Sequence, residues 1–135
     1  MEIKKDLVAS VQARIGRTKY QTAISSGQYS IIVDEPEIAG GTDTGPQPIA
    51  LLLGSLGSCT AITLRMYLDR KMWPVDEINI NVELFKGDAG VSITCGLSFK
   101  GELAEEQKNR LVQIANACPI HKILTGNIII ETGLA

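Results

Sequence analysis

Two of the three cysteines sit where a thiol could do chemistry. Cys118 opens the run Cys118-Pro119-Ile120-His121. A residue before proline is pushed out of helical geometry, and proline suits the first position of a new helix. Cys118 is therefore predicted to cap a short helix, where unpaired N–H groups and the helix dipole favour the thiolate. Cys59 lies near the middle of GPQPIALLLGSLGSCTAITLRMYLDRK, residues 45–71, in apolar surroundings that would raise its pKa. Taken alone, a cysteine there is ordinarily a small hydrophobe. The two are too far apart in sequence to form a local Cys-x-x-Cys motif. With His121 they would offer zinc three ligands and no fourth, so redox chemistry fits better than a metal site. Cys95 sits on the apolar side of an alternating run with no charge or partner beside it, and is expected to fill core and stay reduced.

The elements that must position these thiols follow from periodicity. No charged residue occurs between Asp43 and Arg65, so the first four turns of the helix expected over 45–71 lack a polar face and should be enclosed nearly all round. Leu52, Leu56, Cys59, Thr63 and Met66 share one stripe, which places Cys59 inside. Gly54, Gly57, Ser58 and Ala61 form a small-residue face, and each mid-helix glycine costs ~1 kcal/mol against alanine, so a second backbone is expected close by.

Upstream, Leu7 to Ile15, Tyr20 to Ile24 and Tyr29 to Val33 alternate as three strands of an antiparallel meander, with Arg17 at its first hairpin tip. The segment 34–45, DEPEIAGGTDTG, reads as an acidic loop leading to the helix N-terminus. Downstream, 78–84 and 91–99 form a hairpin, 102–117 an amphipathic second helix with Leu103, Gln107, Leu111, Ile114 and Cys118 on its buried stripe, and 127–131 a last strand.

At 135 residues and 14.5 kDa the chain is expected to be one domain, 1–135, large enough to bury a core without disulfide staples. Thirteen basic and fifteen acidic residues give a net charge of −2, which carries no footprint for nucleic acid or an anionic membrane. A transmembrane span is set aside because the helix carries Gln47, Ser55, Ser58, Thr60 and Thr63 before Arg65. No signal-peptide pattern opens the chain, and an odd number of cysteines argues for thiols over a disulfide framework, so a cytoplasmic protein is expected.

The run DEPEIAGGTDTGPQPIALLLGSLGSCTAITLRMYLDRK, together with ACPIHKIL, resembles the osmotically inducible protein C (OsmC) family, which includes the organic hydroperoxide resistance (Ohr) proteins. The resemblance implies an α+β fold in which antiparallel sheets wrap long central helices in an intertwined homodimer. It also implies a cofactor-free thiol peroxidase in which Cys59 attacks a small organic hydroperoxide and Cys118 resolves it as a disulfide, reduced afterwards by a thiol reductant. Arg17 matches the arginine that activates the attacking thiol in that family, with Arg14 as the fallback. The family's supporting glutamate falls at Ile49 or Ala50, so the acid is missing here. Either Glu35, Glu37 or Asp43 from the acidic loop replaces it, or the chain does without. The alternative is a non-peroxidase member that binds a small hydrophobic or acyl-like ligand in the dimer cleft.

Overall fold

The computed structural model describes residues 5–135, which fall into two compact units, one running to Leu51 and the other from Leu52 to Ala135. The first holds an antiparallel three-stranded sheet in the order β1 (Gln12–Ile15), β2 (Thr22–Ser26), β3 (Tyr29–Val33). Strand β1 is shorter than the alternation from Leu7 implies. Its pairing ends at Gln12 opposite Ser25, because β2 turns back at Gly27 (φ 58°) and residues before 12 have no strand to meet. Leu7 and Val8 are accordingly exposed.

The acidic loop is built around one residue. Asp34, 1% exposed, accepts hydrogen bonds from the backbone N–H groups of Tyr20, Glu35, Thr42 and Thr44 and from the hydroxyls of Thr42 and Thr44. Burial alone would raise its pKa, but these donors outweigh it and hold the carboxyl well below the usual range. The loop passes so close to β3 that a Cβ on Gly45 would sit 2.1 Å from the Ile32 carbonyl oxygen, so only glycine fits there. A short 3-10 turn, Glu37–Ala39, lies within it.

Helix α1 (Pro48–Lys71) begins in the first unit and continues through the second. Among the described residues it is the one helix long and apolar enough, by length and composition, to cross a membrane. Its buried row is Leu56, Thr60, Leu64, Tyr67 and Leu68, rotated from the expected stripe: Leu52 and Met66 are exposed, and Cys59 and Thr63 stand half-buried at the margin. A helix apolar on all sides gives periodicity nothing with which to choose a face. The small-residue face also differs from expectation. Gly54 is open, and Gly57 meets the Val82 side chain, 3.1 Å from a built Cβ, with no second backbone beside it.

The second unit continues with the hairpin β4 (Glu77–Gly87) and β5 (Gly90–Lys100), then α2 (Glu105–Ala115) and α3 (Pro119–Thr125). Helix α2 starts where the Gln107 side chain accepts the Ala104 N–H at 2.8 Å. Its Leu111 and Ala115 join Leu64, Tyr67, Leu68 and Val75 in the core, flanked by Ile78, Ile80, Leu97 and Phe99 from the sheet. Residues 127–131, expected as a strand, pair with no strand among the described residues, and Ile128, Ile129 and Ile130 are exposed.

Candidate active site

Cys118 occupies the N-cap of α3 as its neighbour dictates: Pro119 forces it into extended geometry (φ −62°, ψ 139°) and takes the first helical position itself. Its sulfur accepts the His121 N–H at 3.4 Å, the role a serine or aspartate oxygen usually fills. Cys118 is fully buried, with its sulfur toward α1. There it meets Cys59, and the two free thiols share a hydrogen bond.

The pair is unlike in charge. Burial pushes Cys118 up, but donors to its sulfur outweigh that: the Cys59 thiol, the His121 N–H, the Thr60 hydroxyl and the Ile120 N–H leave it below an ordinary thiol. Burial is also the largest influence on Cys59, and here it wins. Donation to Cys118 and the Cys118 charge push the same way, against the Ile120 N–H and the Thr63 hydroxyl, so Cys59 stays protonated above the usual range. The two sulfurs are thus unlike, with the thiolate favoured on Cys118 over Cys59.

Sequence reasoning found both cysteines and the cap but missed the threonines. Thr60 is 2% exposed, and its hydroxyl lies 2.8 Å from the Leu56 carbonyl, so its single proton serves either that oxygen or the Cys118 sulfur. The available signal was a hydroxyl on the i, i+4 row Leu56, Thr60, Leu64. Arg17 lies in the first unit, exposed in the turn between β1 and β2, and Arg14 is exposed on β1 opposite Ala23. Cys95 departs from expectation: it lies on β5 opposite Val82 and is exposed rather than packed in the core. It lines a cavity of about 470 Å³ between β5 and α3, with Ile93, Leu56 and His121.

An α+β scaffold that brings two unlike thiols together from two helices defines a class, a small two-thiol protein with a long central helix. The chain belongs to the family of OsmC-like proteins, whose sequence pattern matches residues 41–133. Among solved structures it is similar to an OsmC-like protein from Mycoplasma pneumoniae, with TM-score 0.76, 21% identity and 90% of each chain covered. It is also similar to the organic hydroperoxide resistance protein OhrB of Bacillus subtilis, with TM-score 0.59, 28% identity, and 90% of this chain and 93% of that one covered. An organic hydroperoxide resistance protein from Elizabethkingia anophelis matches with TM-score 0.64, 20% identity and 93% of each chain covered. None of the curated proteins compared with the chain matches it in sequence.

Proposed function

We propose that the chain, as one OsmC-like domain over 1–135, is a cysteine-based thiol peroxidase that reduces organic hydroperoxides through a Cys59–Cys118 disulfide. The observation that carries this reading is the unlike thiol pair inside the fold of a family whose relatives include hydroperoxide resistance proteins. Cys59, the more accessible sulfur, passes its proton to Cys118 and attacks the terminal oxygen of the hydroperoxide. The O–O bond breaks, the alkoxide leaves and is protonated to the alcohol, and Cys59 becomes a sulfenic acid. Cys118, returned to its thiolate, then attacks the Cys59 sulfur. The S–S bond forms and the oxygen leaves as water. A low pKa on the resolving thiol keeps it deprotonated for that second attack.

The attacking thiol needs a cation to hold its thiolate, and we assign that role to Arg17, since guanidinium stays charged when partly buried. Two molecules of the chain form the working unit. Ile49, Leu52, Ile62 and Met66 leave an apolar face of α1 exposed at 59, 42, 54 and 63%, which a second copy would cover in a cytoplasmic protein. Reduction falls to an external thiol. Mixing the reduced protein with cumene hydroperoxide in a stopped-flow instrument should consume two thiols per chain and produce one equivalent of cumyl alcohol; thiols that persist overturn the reading. The chain's departure from the expected pattern favours one second reading. With Ile49 and Ala50 where an acid is expected, and no acid in the first turn of α1, a poised thiol beside a site for a small hydrophobic or acyl-like ligand is the outcome if peroxide leaves the thiols intact.

A further inference from the structure

The peroxidase reading uses two of three thiols, and one of the two sulfurs in its disulfide, Cys118, is fully buried while Cys59 is half-buried. The third thiol stands nearby by two observations, a strand contact to α1 and a shared cavity with two walls. Cys95 is the cross-strand partner of Val82, whose methyl group presses on Gly57 of α1, two residues before Cys59. Leu56, whose carbonyl accepts the Thr60 hydroxyl beside Cys118, forms a wall of the same cavity as Cys95. His121, whose N–H is bonded to the Cys118 sulfur, forms the wall opposite β5. Strand β5 thus presents an exposed thiol, across an open cavity of about 470 Å³, to the capped end of α3.

We propose that Cys95 is a relay thiol that carries the disulfide from the buried Cys59–Cys118 pair to the surface, where a dithiol reductant removes it. The Cys95 thiolate attacks the Cys118 sulfur, the Cys95–Cys118 bond forms, and the electron pair of the broken bond leaves on Cys59, which takes a proton from water. No net oxidation occurs in this step. A dithiol entering the cavity then attacks the exposed Cys95 sulfur, Cys118 leaves as thiolate, and the second thiol of the reductant closes on the first, releasing Cys95. Cys118 suits the leaving role, since a thiol of lower pKa departs faster. The resting protein also restrains the relay. Burial and the Cys118 charge both raise the Cys95 pKa, so Cys95 is a poor nucleophile while Cys118 is a thiolate. Once Cys118 enters a disulfide its charge is gone and that part of the restraint lifts.

The inference rests on the Cys59–Cys118 disulfide of the proposed function but not on peroxide as its source, so the test makes that bond with diamide. Samples are quenched in acid at intervals, alkylated and mapped by mass spectrometry. The expected course is Cys59–Cys118 first, then Cys95–Cys118 rising as Cys59 becomes alkylatable. In Cys95→Ser, and equally in Cys95→Ala, the first bond should form at the wild-type rate, while its reduction by dithiothreitol slows tenfold or more. A Cys95 that stays free throughout, with reduction of both variants as fast as wild type, overturns the relay even if peroxide oxidises the pair. If diamide yields the relay and peroxide yields nothing, the relay stands and the peroxidase reading falls.

Discussion

Thr60→Val isolates the source of the low Cys118 pKa with little change of shape. The hydroxyl sits 2% exposed and has one proton to give, which rests 2.8 Å from the Leu56 carbonyl and turns toward Cys118 when that sulfur is charged. A hydrogen bond to a charged group is worth about 1.5–3 kcal/mol and the neutral one it abandons about 1 kcal/mol, so the thiolate gains roughly 0.5–2 kcal/mol from Thr60. Removing it should lower the thiolate-to-thiol ratio of Cys118 roughly 2- to 30-fold. Folding stability should change by only about 1 kcal/mol, because the Leu56 carbonyl keeps its helical N–H partner. Ultraviolet thiolate absorbance against pH, measured in a Cys95→Ser background, resolves two steps: Cys118 below an ordinary thiol and Cys59 above. Thr60→Val should move the lower step up. Thr63→Val, which removes a donor to Cys59, should instead move the upper step further up. If the lower step ignores Thr60→Val, or follows Thr63→Val, the account of the thiol pair is wrong.

Other perturbations probe the elements around the pair. Arg17→Ala should slow alkylation of Cys59 at neutral pH roughly tenfold, the effect of losing ~1.4 kcal/mol of thiolate stabilisation; if Arg14→Ala does so and Arg17→Ala does not, the cation is misassigned. The depressed Asp34 pKa contributes stability that is fully present above its ordinary value of 3.8 and lost as pH falls below it. Asp34→Asn should therefore lower the urea midpoint at neutral pH and flatten its decline in acid; a midpoint and an acid profile that match wild type would contradict this. Leu111→Ala empties a fully buried site and should cost about 2–5 kcal/mol in denaturant unfolding, whereas a loss under 1 kcal/mol would mean the core of the second unit is not as described. Light scattering should give twice the chain mass of 14.5 kDa; a monomer would leave the apolar face of α1 unexplained.

The parts of the site legible in the sequence are those fixed by neighbours along the chain. Pro119 alone dictates that Cys118 leaves helical geometry and caps α3, and the structure follows it. The hairpin of β4 and β5 is equally plain, because alternation marks both strands and the glycine-containing turn between them joins them; the turn, closing at Gly87 and Gly90, sets the register. What was hidden depends on contacts across the chain. The acidic loop reads as a unit leading to the helix N-terminus, since nothing local tells Asp34 from Glu35 or Asp43, yet of these three Asp34 is the one that gathers six donors. The buried row of α1 was misjudged because four turns without a charge leave no wet face to exclude. Cys95 was misplaced for a related reason: alternation shows which side of β5 is apolar, but not whether a neighbour covers it.

These two kinds of information meet at the thiols and set their order of events. The cap and its N–H donors come from the local chain, and packing against α1 adds the Cys59 thiol and the Thr60 hydroxyl, which together with the cap hold the Cys118 pKa down. Cys59 has no such local support: its state is set by burial and by the negative partner that packing brings against it. Of the two, the fully buried sulfur is the one whose thiolate is favoured, while the more accessible sulfur is held toward its protonated form. In the proposed peroxidase, reaction requires the proton to cross one hydrogen bond from Cys59 to Cys118, and whatever favours that transfer, a cation such as Arg17 or the approach of substrate, would switch the pair from resting to reactive. In that mechanism, favouring the charge on Cys118 would cost speed in the first attack and gain it in the second, where the sulfenic acid must be captured before a further oxidant converts it irreversibly to the sulfinic acid.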